Sequence, residues 1–341
     1  MRVPEAILDR FFRSDDRTTE ERKDYRGKLD LEQVGDVLRQ TLYDLQRVFN
    51  EGLLEQHGRL LDETPRVHFD YVDSSIANAL AFRYEDVRFI GITLPLIERL
   101  LHGCQRLSDS PVVASEMGIT LTPEQRQDFL GYLFNISLSF VVNHEYAHHR
   151  LGQVVEIRDC KAFWVEFAAH EGNGSLGQQV REIHADGFGT FLTIHNLFFG
   201  NGRPGLFEVF GPVRDERHAD ALLLAAFVLG VSNFFFTRQP EQFDPVGLYA
   251  LQHPPPAARM GYIMTNVQRW SEKNRPLLLA DISVDFYQII MRAGEEAIWG
   301  AQGRQDWHEQ TTFLFSEAGA AYFDQLRGLL AIPQDQPGPL V

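Results

Sequence analysis

The stretch FVVNHEYAHHRLG, residues 140–152, limits what this chain can be more than any other part of the sequence. Within it, His144, Glu145 and His148 form the pattern H-E-x-x-H. On an α-helix, residues four apart project from the same face, so both imidazoles can reach one zinc ion. The glutamate beside the first histidine can reach a water at that ion. The pattern therefore predicts a helix that carries two metal ligands, His144 and His148, and a general base, Glu145.

Helix-end signals flank this stretch on both sides. Thr122 is a suitable N-cap, Pro123 suits the first helical position, and Glu124 is acidic in the first turn. Gly152 follows the last apolar and histidine residues, where glycine commonly ends a helix. The H-E-x-x-H residues are therefore expected on the last turns of one long helix.

A catalytic zinc site needs a third protein ligand and an open position for water. His149 is rotated about 100° from His148 on a helix and is expected to point elsewhere. The longer pattern H-E-x-x-H-x-x-G-x-x-H is also absent, because Leu151 and Val154 stand where its glycine and third histidine would be. The third ligand must come from another part of the chain.

The segment REIHADGFG, residues 181–189, supplies a candidate. Glu182 and Asp186 are four apart and share one face of a predicted helix, 34 residues after His148. Glu182 is predicted to bind the metal, and Asp186 to accept the ring N–H of a ligand histidine and fix its tautomer. His184 is given a structural or substrate-facing role. The alternative, a solvated helix face, carries less weight after an H-E-x-x-H helix.

This ligand set predicts hydrolytic chemistry with one Zn²⁺ per chain. Zinc bound by three protein ligands lowers the pKa of water from about 15.7 toward roughly 7. Glu145 is expected to take up that water's proton and to deliver it to a leaving amine. The residues therefore predict a zinc-dependent hydrolase in outline, and the resemblance given below implies an endopeptidase.

Two other classes of protein share parts of the pattern. A carboxylate-bridged di-iron bundle uses two Glu-x-x-His pairs on different helices, and Glu145–His148 is one such pair. Ala185 stands three residues after Glu182, so no second pair is found. A non-catalytic or partner-activated regulatory protein with a zinc-organised fold stays open, because a latent enzyme carries the same residues.

The composition limits which binding partners and which cellular location are expected. The formal net charge of −15 disfavours nucleic acid, which requires clustered lysine and arginine. Cys104 and Cys160 form no C-x-x-C pair and are expected as two buried thiols in a reducing cytoplasm. The apolar run 221–236 is about sixteen residues long, short of the roughly twenty that span a bilayer. We expect a buried core helix and no stable transmembrane insertion, with peripheral membrane contact left open.

The patterning along the chain predicts an α+β fold that is mostly helical. Residues 1–62 are expected as an N-terminal helical extension, because apolar residues from 31 to 61 follow a helical period. Residues 63–275 are expected as the catalytic domain, with a strand, a hairpin and a helix after Pro65 that give a small antiparallel sheet next to the H-E-x-x-H helix. Residues 276–341 are expected as a C-terminal helical region with a frayed tail.

The motifs H-E-x-x-H and E-x-x-x-D together resemble those of the gluzincins, zinc peptidases with two histidine ligands and one glutamate ligand. Residues 67–100 resemble the hairpin that precedes the active-site helix in the CAAX-prenyl and heat-shock membrane metallopeptidases, with Asn78-Ala79 in place of an Asn-Ala pair. QHPPPAARMGYI, residues 252–263, resembles their downstream His-Pro…Arg element. Because convincing membrane spans are missing, the chain most resembles the phage-exclusion peptidase type.

This resemblance implies further roles that the spacing alone does not give. It implies a zincin-like fold and a specific intracellular protein as substrate, bound as an added strand at Asn78 and Ala79. It also places His253 and Arg259 at the rim of the active site, where they would stabilise the oxyanion. A second interpretation of His253 is that it only caps a proline-started helix.

Overall fold

The structure is a computed structural model in which two units can be described separately. By their internal contacts, the units are Met1–Arg99 with Glu145–Ala169, and Leu100–His144 with His170–Val341. The division into 1–62, 63–275 and 276–341 stays a prediction. Cys160 and the tail predicted to be frayed lie outside the described residues, which are 4–13, 24–60, 66–85, 87–154, 175–211, 213–238, 242–279 and 284–330.

The first unit contains a four-stranded sheet. Its strands are β1 (Tyr25–Lys28), β2 (Arg66–Ser74), β3 (Ala79–Tyr84) and β4 (Val87–Thr93). They lie in the order β1-β2-β4-β3. The pairs β1–β2 and β3–β4 are antiparallel, but β2 and β4 are parallel, with Phe69 beside Ile90. The predicted antiparallel sheet is therefore wrong, and the sheet is mixed.

The parallel pair arises because β4 turns back from β3 and enters the sheet beside β2. The predicted hairpin is present, with Glu85 at a φ of 53° in its turn. β4 is apolar along nearly its whole length and suits a central position. Gly91 makes this possible, because a Cβ at that residue would lie 2.8 Å from Cγ2 of Val72 on the neighbouring strand.

The N-terminal segment is not purely helical, since it supplies β1. The sequence analysis did not predict this strand, because residues 1–30 are charged and weakly patterned. Helix α1 (Pro4–Arg13) packs Phe11 on Phe82 of β3, with ring centroids 4.7 Å apart. The predicted helix within residues 31–61 is confirmed as α2 (Asp36–Leu60), which packs on β2.

The remaining described helices belong to the second unit, except that α3 and α5 run from one unit into the other. The mostly helical α+β class is confirmed, and the zincin-like architecture stays a prediction. The helices are α3 (Leu94–Asp109), α4 (Pro111–Glu116), α5 (Pro123–Arg150), α6 (Leu176–Phe199), α7 (Gly202–Phe210), α8 (Glu216–Phe236), α9 (Pro256–Asn274), α10 (Pro276–Leu279), α11 (Val284–Trp299), α12 (Gln305–Leu314) and α13 (Glu317–Leu330).

Helix α5 begins and ends as its sequence predicts. The Thr122 hydroxyl accepts a hydrogen bond from the Gln125 backbone N–H at 3.2 Å, and the Gln125 side chain accepts one from the Thr122 N–H at 3.0 Å. This reciprocal pair is a capping box. At the other end, Gly152 has a φ of 65° and turns the chain out of the helix.

Helix α8 lies in the core of the second unit. By length and composition it is the one helix among the described residues that could cross a membrane, but 94% of its most apolar window is buried inside the protein. Polar side chains also link it to its neighbours. The Asn233 amide donates to the Leu100 carbonyl at 2.9 Å, and Ser137 donates to the Gly230 carbonyl at 2.6 Å.

Candidate metal centre

Helices α5 and α6 bring three predicted ligands together. Within the described part of the chain, His144, His148 and Glu182 form the one group of three metal-ligating side chains whose donor atoms all lie within 4.8 Å of one another. All three are buried. Two imidazole nitrogens and one carboxylate oxygen are donors that zinc accepts in catalytic sites. The group could hold a metal ion.

His144 lies between two carboxylates of α6. Its Nε2 is 3.5 Å from Oε2 of Glu182, and its Nδ1 is 3.0 Å from Oδ1 of Asp186. Because Glu182 and Asp186 are one turn apart, they reach opposite nitrogens of the same ring. With Nδ1 directed at Asp186, Nε2 is the nitrogen left to face a metal. This is the contact expected of a residue that orients a ligand histidine.

His148 has a different partner, which sequence reasoning missed. Its Nδ1 is 2.8 Å from Oε1 of Gln153, a residue that is 7% exposed. Gln153 follows Gly152, and its backbone N–H donates to the His148 carbonyl at 2.9 Å. A glutamine just after a helix end carries no signal that would single it out in the sequence.

Arg259 is buried against Asp186 and does not lie at a rim. Its Nε and Nη2 donate to the two oxygens of Asp186 at 2.7 and 2.8 Å, and the side chain is 0% exposed. Its guanidinium carbon also lies 5.1 Å from the ring centre of Phe235. The resemblance implied a donor to the oxyanion, whereas here the guanidinium is engaged by the carboxylate that contacts His144.

His253 touches a predicted ligand. Its Nδ1 lies 3.2 Å from Oε2 of Glu182, and its side chain is 10% exposed. The residue precedes three prolines, the last of which opens α9. His253 therefore contacts α6 through Glu182, whereas the N-cap position of α9 is Pro255 and has no side-chain cap. The interpretation that His253 only caps this helix is wrong.

Glu145 directly follows His144 on α5 and is 2% exposed. His149, next to His148, is also buried, and its Nε2 lies 2.8 Å from the carbonyl oxygen of Phe89 on β4. His149 therefore binds the sheet and does not belong to the metal-ligating group. His184 is also outside that group, and burial lowers the pKa of its imidazole.

The predicted substrate-binding pair lies in the first unit. Asn78 is 0% exposed, and its amide donates to the Tyr25 hydroxyl at 2.9 Å, while its backbone N–H donates to Thr93 Oγ1 at 2.8 Å. The amide is thus held inside the unit. Ala79 opens β3, one of the two edge strands of the described sheet.

The close packing of α6 on α5 depends on a glycine. A Cβ placed on Gly189 would lie 3.0 Å from the backbone nitrogen of His144 and 3.2 Å from its Cα. Asp186 lies one turn before Gly189 on the same helix. The absence of a side chain at residue 189 therefore lets α6 approach the backbone of a predicted ligand.

Comparison with protein-family models, with curated proteins and with solved structures gives no match. The resemblance to the gluzincins therefore rests on the sequence motifs alone.

Proposed function

We propose that this protein is a zinc-dependent endopeptidase of the gluzincin type, acting on a specific cytoplasmic protein. The observation that carries the proposal is the buried group of His144, His148 and Glu182, with its donor atoms within 4.8 Å. Glu145 directly follows the first of these ligands. Two histidines and one glutamate with an adjacent glutamate form the arrangement that zinc peptidases use.

In this mechanism His144, His148 and Glu182 would hold Zn²⁺, which when bound would supply Lewis acidity and make a water acidic near neutral pH. Glu145 accepts a proton from the water that attacks the scissile carbonyl, and then donates it to the leaving amine nitrogen. Asp186 holds Nδ1 of His144, and Arg259 balances the charge of Asp186. His253, which borders Glu182, is the remaining donor for the developing oxyanion.

The substrate in this proposal is an extended polypeptide that pairs with β3. The last turn of α5 is hydrogen-bonded to β4 through His149, and β3 pairs with β4. Strand addition would use backbone hydrogen bonds, with the edge at Ala79 as the receiving position. The formal net charge of −15 supports a polypeptide rather than nucleic acid as partner.

The experiment compares Glu145→Gln with Glu124→Gln, an identical change at the exposed start of the same helix. Metal content is measured on each purified protein, and hydrolysis is followed with a fluorogenic peptide library. Glu145→Gln should retain one zinc and lose hydrolysis, His148→Ala should lose the zinc, and Glu124→Gln should match the wild type. Wild-type hydrolysis by Glu145→Gln would refute the mechanism.

A second candidate is a zinc-organised regulatory or binding protein that hydrolyses nothing by itself. The burial of Glu145, which is 2% exposed, favours it, because a general base must meet its substrate. This candidate predicts that the wild-type protein binds one zinc and leaves the whole peptide library uncleaved. Zinc-dependent cleavage by the purified protein would exclude it.

A further inference from the structure

We infer that Gln153 is a positioning residue that fixes the ring tautomer of His148. The inference rests on the proposed metal centre and adds a residue to it. Gln153 lies outside both sequence motifs, five residues after the histidine that it contacts. Its amide oxygen lies 2.8 Å from Nδ1 of His148, within ordinary hydrogen-bonding distance.

The identity of the contacting atom decides which nitrogen can bind a metal. A neutral imidazole carries hydrogen on one nitrogen and a lone pair on the other. With the amide oxygen of Gln153 facing Nδ1, that nitrogen carries the hydrogen, and the lone pair lies on Nε2. The reversed amide would present N–H groups to Nδ1 and move the hydrogen to Nε2, which would block binding there.

The backbone around Gln153 holds this contact in place. Gly152 adopts a φ of 65°, which glycine tolerates and most residues avoid. The turn directs the Gln153 N–H at the His148 carbonyl, 2.9 Å away. Gln153 is therefore bonded to His148 through both its backbone and its side chain. Gln153 as a whole is 7% exposed, so bulk water competes little for the amide oxygen.

A neutral partner at this position also limits the charge of the site. At the site, Glu145, Glu182 and Asp186 are acidic, and Arg259 supplies one positive charge. With neutral imidazoles these groups leave two net negative charges, which a bound Zn²⁺ would balance. Gln153 orients His148 without adding a further negative charge, which would weaken the metal as a Lewis acid.

The test measures zinc affinity by chelator competition on metal-free protein, with no substrate present. Gln153→Ala should raise the zinc Kd by about 10- to 100-fold, the usual effect of losing a partner of a ligand histidine. Gln153→Glu keeps an acceptor oxygen and should restore most of the affinity. Gln46→Ala removes a different amide, which donates to Asp70 at 2.8 Å, and should leave the affinity unchanged.

Cobalt absorption spectra show whether the ligand set is intact. Gln153→Ala should keep the wild-type form of the spectrum at saturating cobalt, because the ligands themselves are unchanged. If Gln153→Ala does not fold, Gln153→Met repeats the test with a side chain of similar length. Wild-type zinc affinity in Gln153→Ala and Gln153→Met would overturn the inference. Equal losses of zinc affinity in Gln153→Glu and Gln153→Ala would also overturn it. A wild-type protein that binds no zinc would overturn both the inference and the proposed function.

Discussion

The substitution Gly189→Ala tests whether the contact between α5 and α6 sets the metal centre. The added methyl group would lie 3.0 Å from His144 N, 3.2 Å from its Cα and 3.4 Å from the carbonyl carbon of Asn143. Favourable contacts between carbon atoms lie at about 3.5–4.0 Å. These three atoms belong to a helix backbone and cannot rotate away, so α6 itself must move by several tenths of an ångström.

The matched control is Gly187→Ala, two residues earlier on α6. There the nearest atom is the Asn266 side-chain nitrogen at 3.2 Å, which can shift. Both changes gain about 1 kcal/mol of helix propensity. Overpacking lowers stability by about 1–3 kcal/mol. Only Gly189→Ala should show this loss, because its methyl group meets backbone atoms that cannot move aside. In urea unfolding of the metal-free proteins, Gly189→Ala should therefore be less stable than Gly187→Ala by about that amount.

The movement of α6 in Gly189→Ala should also weaken zinc binding. Asp186 lies one turn from Gly189 and contacts His144 at 3.0 Å. Because ligand distances must hold to about 0.2 Å, the zinc Kd of Gly189→Ala should rise by roughly tenfold or more. Chelator competition measures it, with Gly187→Ala expected near wild type. Equal affinity and equal stability in the two variants would show that the close approach does not position the site.

Two further predictions concern buried groups. Arg259→Met leaves Asp186 buried without its cation and should lower the free energy of unfolding in urea by about 3–5 kcal/mol. Adding Asp186→Leu should restore part of this loss. A loss below about 1 kcal/mol would contradict the ion-pair assignment. Burial raises the pKa of the Cys104 thiol to about 12, since it disfavours the thiolate. In a Cys160→Ser background at pH 8, a thiol reagent should react only on unfolding, and rapid labelling of the native protein would refute this.

Part of the site could be predicted from sequence because helical spacing places its residues in two pairs. His144 and His148 are four apart on one helix, and Glu182 and Asp186 are four apart on another, so each pair shares a helix face without tertiary information. The contact between the two helices does not follow from this spacing. The ends of α5 were predicted from local capping chemistry for the same reason.

The rest depends on long-range geometry. The parallel pairing of β2 with β4 requires the strand order, which alternation along a strand does not reveal. β1 comes from a charged segment whose burial depends on the sheet that it joins. Gln153 reaches back to His148 through a turn, and Arg259 reaches Asp186 from 73 residues away. Neither contact can be predicted from a periodic pattern of residues in the sequence.

The amide of Asn233 has a consequence for the uniqueness of the fold. Helix α8 is apolar on every side, so hydrophobic burial alone would accept it at many rotations about its axis. Asn233 reduces this degeneracy, because its N–H groups lie 2.9 Å from the Leu100 carbonyl and 3.2 Å from Cys104 Sγ, contacts that a rotated helix would lose. A leucine at residue 233 would preserve the apolar character of the helix while deleting one of the contacts that select its rotation.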